Sequence, residues 1–216
     1  MMKLCALGDS ITAGIGVPDD QPKWTELVEQ AFADLRVINF GIGGQTSSQG
    51  LVRFDSVAAE HPDIVTIQYG MNDHCLDLSG QAKVPLSQFR INLITLTSKL
   101  LHISDVILIT NHLIIEGDDH EYYYRRHPRS AYLVAGGANA WLGQYNVIVR
   151  ETAHIQVCGL VDMEKIASSY DPKAFLRSLH TSDVDDGVHP HALGARIYAE
   201  AIISEVERRH QDWRKK

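Results

Sequence analysis

The sequence predicts an α/β fold in which a parallel sheet carries helices on both faces. Short apolar runs of strand length alternate along the chain with amphipathic segments of helical length. Several of these runs stop abruptly at a glycine, which is typical of a strand that ends in a tight turn. The segments between the runs are long enough for right-handed helical crossovers, the usual links between parallel strands.

Five strands and five principal helices account for most of the chain. The apolar runs interpreted as strands are residues 4–7, 36–40, 64–69, 105–110 and 156–161. The segments with apolar residues at helical spacing are residues 24–32, 51–58, 85–101, 138–153 and 192–206. The first three strands are followed by Gly8, Gly41 and Gly70, and the fifth stops at Asp162. These ends predict one ligand-binding edge, because the carboxyl ends of parallel strands lie side by side.

Composition and net charge indicate the number of domains and the kinds of molecule that the protein binds. The chain has 216 residues, 44% of them hydrophobic, which fits a single globular domain over residues 1–216. Its net charge of -7 disfavours nucleic acid and anionic membranes, and the basic residues between 208 and 216 are typical of an exposed helix end. We therefore expect a small-molecule partner, no nucleic acid and no stable membrane association, while the oligomeric state stays open.

Cysteine usage and the first residues bear on the cell compartment. The three cysteines, Cys5, Cys75 and Cys158, cannot all pair, so no disulfide framework is indicated. The apolar run before Asp9 is too short for the core of a signal peptide. No later run reaches membrane-spanning length. From these features we expect a soluble cytoplasmic protein.

Ser10 is the first candidate for catalysis. It directly follows the first strand and Gly8, which would place its hydroxyl at the carboxyl edge of the sheet. Gly, Asp and Ser are also the commonest turn residues, so Gly8-Asp9-Ser10 read alone favours an ordinary turn.

Two further strand ends offer hydrogen-bond donors at the same edge. Gly43 and Gly44 follow the second strand, and Asn72 follows the third. A backbone amide at Gly44 and the side-chain amide of Asn72 would supply the convergent donors that a tetrahedral oxyanion requires. Alternatively, the glycines form only a tight turn and Asn72 only caps a helix or turn.

Asp186 and His189 form a candidate acid and base pair far along the chain. A serine hydroxyl is a poor nucleophile unless a base takes its proton, and a carboxylate must orient that base. The three-residue spacing lets Asp186 reach Nδ1 of His189 while Nε2 faces Ser10. Pro190 restricts His189 to an extended backbone and suits the first position of the last helix. Read alone, this segment is also consistent with a simple helix entry.

Taken together, these motifs resemble the four blocks of the SGNH, or GDSL, hydrolases. The matching segments are Gly8-Asp9-Ser10, the glycine turn at Gly44, Gly70-Met71-Asn72-Asp73 and Asp186-Gly187-Val188-His189-Pro190, in that order. The resemblance covers nearly the whole chain. Ile11 stands where a leucine often follows the serine, and Thr12 rules out the Gly-x-Ser-x-Gly elbow of α/β-hydrolases.

The resemblance implies a fold, a set of roles and a reaction. The fold would be a flavodoxin-like three-layer α/β/α sandwich with a five-stranded parallel sheet. Ser10 would be the nucleophile, His189 the base and Asp186 its partner in a Ser-His-Asp triad. The amides of Ser10 and Gly44 and the side chain of Asn72 would form the oxyanion hole. The reaction would be ester hydrolysis through an acyl-serine intermediate, with no metal and no cofactor.

Other polar residues near the predicted edge are candidates for different roles. Asp9, Asp73 and His112 are candidate substrate contacts, His112 because it follows the fourth strand. A metal site formed by His112, Asp118, Asp119 and His120 is disfavoured, because these residues lie in a polar loop without the spacing of a ligand set. Cys75 could compete with Ser10 as nucleophile, but no second Asp and His pair accompanies it.

The long connection over residues 113–137 carries tyrosines and arginines between 122 and 126. Such connections are commonly lids or binding loops, although an oligomer contact or a plain surface loop fits equally well.

The leading hypothesis is an esterase acting on short-chain or carbohydrate-linked acyl esters. The alternatives are a lysophospholipase or acyl thioesterase and, from another class, a flavodoxin-like module that binds a phosphate or nucleotide at a helix N-terminus.

Overall fold

The five predicted strands form one parallel sheet. A computed structural model of the chain describes residues 1–77, 79–116, 127, 129–184 and 186–210. The strands are β1 (Met2–Gly8), β2 (Leu35–Gly41), β3 (Ile64–Gln68), β4 (Asp105–Ile109) and β5 (Gly159–Val161). Their spatial order is β2-β1-β3-β4-β5, and every pair is parallel. This is the flavodoxin-like order, which confirms the predicted fold class.

Helices cover both faces of the sheet. In chain order they are α1 (Ser10–Ala13), α2 (Trp24–Ala31), α3 (Ser47–Val52), α4 (Phe54–Ala58), α5 (Leu86–Leu101), α6 (Arg129–Tyr132), α7 (Ala138–Gln156), α8 (Met163–Ala167), α9 (Pro172–Phe175) and α10 (Ala192–Arg209). A 3-10 turn, Leu133–Ala135, separates α6 from α7. Apolar residues of α2 and α10 pack on one face of the sheet, and those of α5 and α7 pack on the other.

Alternation along the strands divides the interior into two cores. In β1, Leu4 and Ala6 belong to the core beneath α2 and α10, whereas Cys5 and Leu7 belong to the core beneath α5 and α7. Successive side chains of a strand point to opposite faces, so a strand covered on both sides reads as a continuous apolar run. This explains why the central strands are easily identified in the sequence.

The structure differs from the sequence prediction mainly at element ends. The fifth strand begins at Gly159 rather than at residue 156, because α7 continues through Gln156 and ends at Val157 with φ +54°. The predicted helix over residues 51–58 is divided at Arg53 into α3 and α4. The short helices α8 and α9 were not predicted, since four or five residues are too few to display helical periodicity.

Parts of two predicted features lie outside the described residues. These are the tyrosines and arginines between 122 and 126, with residues 118–120, and the basic residues after 210. Within the described part of the chain, no helix is both long enough and apolar enough to cross a membrane.

Candidate active site

Loops from the carboxyl ends of β1, β2 and β3 meet on one side of the sheet. Chain order reverses between β1 and β3, which makes this the switch point where open α/β sheets bind ligands. Ser10 follows β1, Gly44 follows β2 and Asn72 follows β3, and all three line one cavity together with His189. The topology therefore assembles residues that are far apart in the sequence.

The turn that presents Ser10 depends on close backbone packing. A Cβ on Gly8 would lie 2.1 Å from Oγ1 of Thr12 and 2.8 Å from the Gln68 carbonyl oxygen, so only glycine fits there. The Asp9 side chain caps the turn by accepting the Ile11 amide at 2.9 Å. Ser10 is thus held at the first position of α1 and retains 7% exposure.

Ser10, His189 and Asp186 form a continuous hydrogen-bonded series. Ser10 Oγ lies 2.9 Å from His189 Nε2, and His189 Nδ1 lies 2.9 Å from Asp186 Oδ2. His189 is 4% and Asp186 is 2% exposed, so both groups are largely removed from water. These contacts match the relation of nucleophile, base and orienting carboxylate that a serine hydrolase requires.

Asp186 is surrounded by donors that favour its charged form. Burial alone would raise its pKa, but hydrogen bonds from the His189 ring and from the His189 and Val188 amides lower the pKa below its ordinary value. The Arg177 guanidinium lies 3.9 Å from Asp186 Oδ2. The carboxylate is therefore ionised at neutral pH and can keep the Nδ1 proton of His189 in place.

Two neighbouring segments, at Arg177 and at Gly16, fix the turn that carries His189. The Arg177 carbonyl accepts the amides of Asp186 and Gly187, and the Arg177 amide donates to the His189 carbonyl at 2.7 Å. On the other side, Gly16 has φ +98°, and a Cβ there would lie 2.6 Å from the His189 Cβ. Arg177 and Gly16 were missed in the sequence because neither belongs to a recognisable motif.

Three hydrogen-bond donors line the cavity beside Ser10. Among the described residues, the backbone N–H groups of Ser10 and Gly44 donate to no protein acceptor. Asn72 Nδ2 lies 3.0 Å from the Gln45 carbonyl oxygen and 3.2 Å from Asp9 Oδ2. Both hydrogens of this amide are therefore occupied in the resting site, and one must be redirected or shared before Asn72 can bind an oxyanion.

The three candidate substrate contacts are buried, which contradicts that expectation. Asp9, Asp73 and His112 have no exposed surface. Asp73 accepts hydrogen bonds from the Ser47 hydroxyl and from the amides of Ser47 and Gly70. His112 bonds the Tyr198 hydroxyl and the Val188 carbonyl, each at 2.7 Å. Their polar atoms therefore contact protein groups behind the cavity instead of lining it.

Burial shifts the protonation of both carboxyl groups. Loss of hydration, together with the nearby Asp73 carboxyl, raises the pKa of Asp9 to about 7, against hydrogen bonds from Ile11 and Asn72. Loss of hydration likewise raises the pKa of Asp73 to about 6, against its hydrogen bonds from Ser47 and Gly70. Asp9 and Asp73 therefore form a pair of carboxyl groups with raised pKa values beside the Asn72 amide.

The cavity at Ser10 has a volume of about 480 Å³ and is open to solvent. Apolar and polar side chains share its wall. The lining residues not predicted from the sequence are Ile15, Met71, Leu76, Lys83, His127 and Val188. Cys75, the alternative nucleophile, also lines the cavity, and its thiol donates to the Met71 carbonyl at 3.4 Å. The candidate base, His189 Nε2, contacts Ser10 instead.

The sequence and the fold of this chain are similar to those of known proteins. A 209-residue stretch is 34% identical to the uncharacterized lipoprotein YqeF of Bacillus subtilis, covering 91% of this chain and 86% of that protein. The acetylxylan esterase of Geobacillus stearothermophilus is 25% identical over 94% of this chain and 93% of its own length. The structure of a lipase/acylhydrolase from Enterococcus faecalis superposes with a TM-score of 0.76 at 26% identity, covering 97% of each chain.

Residues 6–197 also match the GDSL-like Lipase/Acylhydrolase family as a whole. This span contains Ser10, Gly44, Asn72, Asp186 and His189. The chain therefore belongs to the GDSL-like lipase/acylhydrolase family of ester hydrolases.

Proposed function

We propose that Ser10, His189 and Asp186 form the catalytic triad of a serine-dependent ester hydrolase. The observation that carries the proposal is the 2.9 Å contact between Ser10 Oγ and His189 Nε2, with Asp186 bonded to the opposite ring nitrogen. The buried, ionised Asp186 keeps a proton on Nδ1, which leaves the Nε2 lone pair facing the serine hydroxyl.

In the first half of the reaction, Ser10 Oγ attacks the ester carbonyl carbon while His189 Nε2 accepts the hydroxyl proton. The carbonyl π electrons move to oxygen, and the amides of Ser10 and Gly44 stabilise the resulting oxyanion. Asn72 contributes a third donor when one of its N–H groups turns from Gln45 or Asp9 toward that oxygen. Collapse of the intermediate breaks the C–O bond, and the proton on Nε2 passes to the departing alcohol.

In the second half, water replaces the alcohol. His189 Nε2 takes a proton from water as its oxygen attacks the acyl carbon, and the same donors stabilise the second oxyanion. Collapse breaks the bond to Ser10 Oγ, which recovers the proton from Nε2. The carboxylic acid leaves, and no group outside the protein, the ester and water takes part.

We infer that the substrate is a short-chain or carbohydrate-linked acyl ester. The wall beside Ser10 alternates apolar side chains such as Met71 and Leu76 with the polar Lys83 and His127. Such a wall suits a small acyl group on a polar alcohol better than a long hydrocarbon chain. Similarity to an acetylxylan esterase supports the same substrate class. A lysophospholipase or acyl thioesterase would instead favour long acyl chains or thioesters.

A phosphate or nucleotide binder would not need Asp186 and His189 in this arrangement. Binding an anion requires donors and cations, whereas a carboxylate behind an imidazole serves a base. We also infer that the chain is a single catalytic domain, because both cores share the same sheet. A cytoplasmic location stays a prediction.

The test is hydrolysis of aryl esters of increasing acyl length by the wild type, Ser10→Ala and His189→Ala. We expect the highest kcat/KM on the shortest acyl groups, and a loss of about 1,000-fold or more in kcat in both variants. Ser169→Ala, at an exposed serine outside the cavity, is the control and should match the wild type. Full turnover by Ser10→Ala would contradict the proposed nucleophile, and a preference for long acyl chains would contradict the proposed substrate class in favour of a lysophospholipase or acyl thioesterase.

A further inference from the structure

A buried histidine that the proposed reaction does not use lies directly behind the His189 turn. His112 follows β4 and has no exposed surface. Its ring packs against Phe175 at 5.3 Å and Tyr198 at 5.7 Å between centroids. Both ring nitrogens bond protein groups, because Nδ1 lies 2.7 Å from the Tyr198 hydroxyl and Nε2 lies 2.7 Å from the Val188 carbonyl oxygen.

The direction of these hydrogen bonds follows from which of the partner groups can donate and which can only accept. The Val188 carbonyl can only accept, so His112 Nε2 carries the proton and donates it. Burial lowers the pKa of His112 to about 4, which keeps the ring neutral and leaves Nδ1 as an acceptor. The Tyr198 hydroxyl therefore donates to Nδ1 and accepts in turn from Gln68 Nε2 at 2.8 Å. Gln68, Tyr198 and His112 form one directional chain that ends at Val188.

The peptide between Val188 and His189 is held at both of its polar ends. Its carbonyl accepts from His112 Nε2, and its N–H donates to Asp186 Oδ1 at 2.9 Å. The same Asp186 binds the His189 ring through its other oxygen. Rotation of this peptide plane would therefore disturb both contacts of Asp186 and the position of the His189 ring.

We propose that His112 is a positioning residue for the proposed hydrolase, and that its bond to the Val188 carbonyl keeps His189 within reach of Ser10. The inference depends on the proposed roles of Ser10 and His189. His112 contacts neither the cavity nor the reacting atoms, so its influence passes through the peptide alone. Removing its donor should change the rate of the chemical step and leave substrate binding largely intact.

Asparagine and glutamine form a matched pair for testing this inference. The side-chain amide of Gln reaches about as far from the backbone as imidazole Nε2, whereas the amide of Asn reaches only as far as Nδ1. His112→Gln therefore retains a donor for Val188, and His112→Asn retains only a partner for Tyr198. Both substitutions are neutral and hydrogen-bonding, so loss of ring packing affects both.

We expect His112→Asn to lower kcat by about 10- to 100-fold with KM within about twofold, because small misplacements of a catalytic group are costly. His112→Gln should recover kcat to within about threefold of the wild type. The proton NMR signal of the His189 Nδ1–H bonded to Asp186 should persist in His112→Gln and weaken or exchange faster in His112→Asn. Each protein is compared at a temperature where circular dichroism shows it folded.

Equal kcat in His112→Asn and the wild type would overturn the inference, as would equal losses in the Asn and Gln variants. A failure of the proposed catalytic triad can be distinguished from a failure of this inference. If Ser10→Ala hydrolyses esters at the wild-type rate, the assigned nucleophile is wrong. The imidazole signal of the resting protein then still decides whether His112 positions His189: loss in the Asn variant alone supports it, and no difference between the variants refutes it.

Discussion

Gly16 should control the distance between His189 and Ser10, although it does not line the cavity at Ser10. A Cβ at residue 16 would lie 2.6 Å from the His189 Cβ and 2.9 Å from the Pro190 carbonyl oxygen. Carbon atoms in contact normally lie about 3.5 to 4.0 Å apart, so Gly16→Ala requires a shift of about 1 Å. Because the added Cβ would clash with both His189 and Pro190, these two residues must move together.

A shift of about 1 Å is large compared with the range of donor–acceptor distances over which a hydrogen bond persists. If it separates the two side chains, the distance between Ser10 Oγ and His189 Nε2 grows from 2.9 Å to beyond hydrogen-bonding range. A displacement of about 1 Å at a catalytic group costs on the order of 100-fold in rate. We therefore expect Gly16→Ala to lower kcat by about 100-fold, with a smaller change in KM.

Gly80→Ala is the matched control for backbone strain. Gly80 also has a positive φ, +78° against +98° at Gly16, but a Cβ there would meet nothing within 4 Å. Left-handed strain should lower the free energy of unfolding by about 1 to 2 kcal/mol in both variants, with a further loss in Gly16→Ala from its clash with His189. Only Gly16→Ala should lower kcat strongly. Chemical denaturation and steady-state ester hydrolysis measure the two effects. A Gly16→Ala enzyme with wild-type kcat would refute the reasoning.

Three further substitutions test separate parts of the site. Asn72→Ala should lower kcat by about 100- to 1,000-fold with little change in KM, and a change in KM alone would remove Asn72 from the oxyanion hole. Asp186→Asn should lower kcat by about 10,000-fold, because the uncharged amide no longer holds the His189 tautomer. The raised pKa of Asp9, about 7, means that the folded state binds a proton more tightly than the unfolded chain, so Asp9 lowers stability as pH rises from about 4 to 7. Asp9→Asn should flatten this decline in urea unfolding measured across that range, and an unchanged slope would contradict the shift.

The sequence predicted the carboxyl ends of the strands and the residues that follow them, because parallel topology leaves little freedom there. Once five apolar runs are joined by helical crossovers, Ser10, Gly44 and Asn72 must follow strands at the same edge, and the structure shows that these three strands are neighbours. The spacing of Asp186 and His189 is local, so their contact could also be inferred from the chain alone.

Contacts between distant polar groups could not be predicted in the same way. His112 and Val188 are 76 residues apart, and nothing in either neighbourhood marks them as partners. Asp9 and Asp73 were predicted as substrate contacts, but local amides and Ser47 satisfy their oxygens in the interior. Burial of a polar group depends on partners from several segments, and a single sequence does not display them.

The most direct test of the proposed triad is to identify the residue that carries the acyl group during turnover. Rapid acid quenching of the enzyme with a short-chain aryl ester, followed by peptide mass spectrometry, locates the adduct. We expect one acyl group on the peptide containing Ser10, absent from Ser10→Ala and strongly reduced in His189→Ala. An acyl group on Cys75, or turnover that continues in Ser10→Ala, would contradict the assignment of Ser10 as the nucleophile.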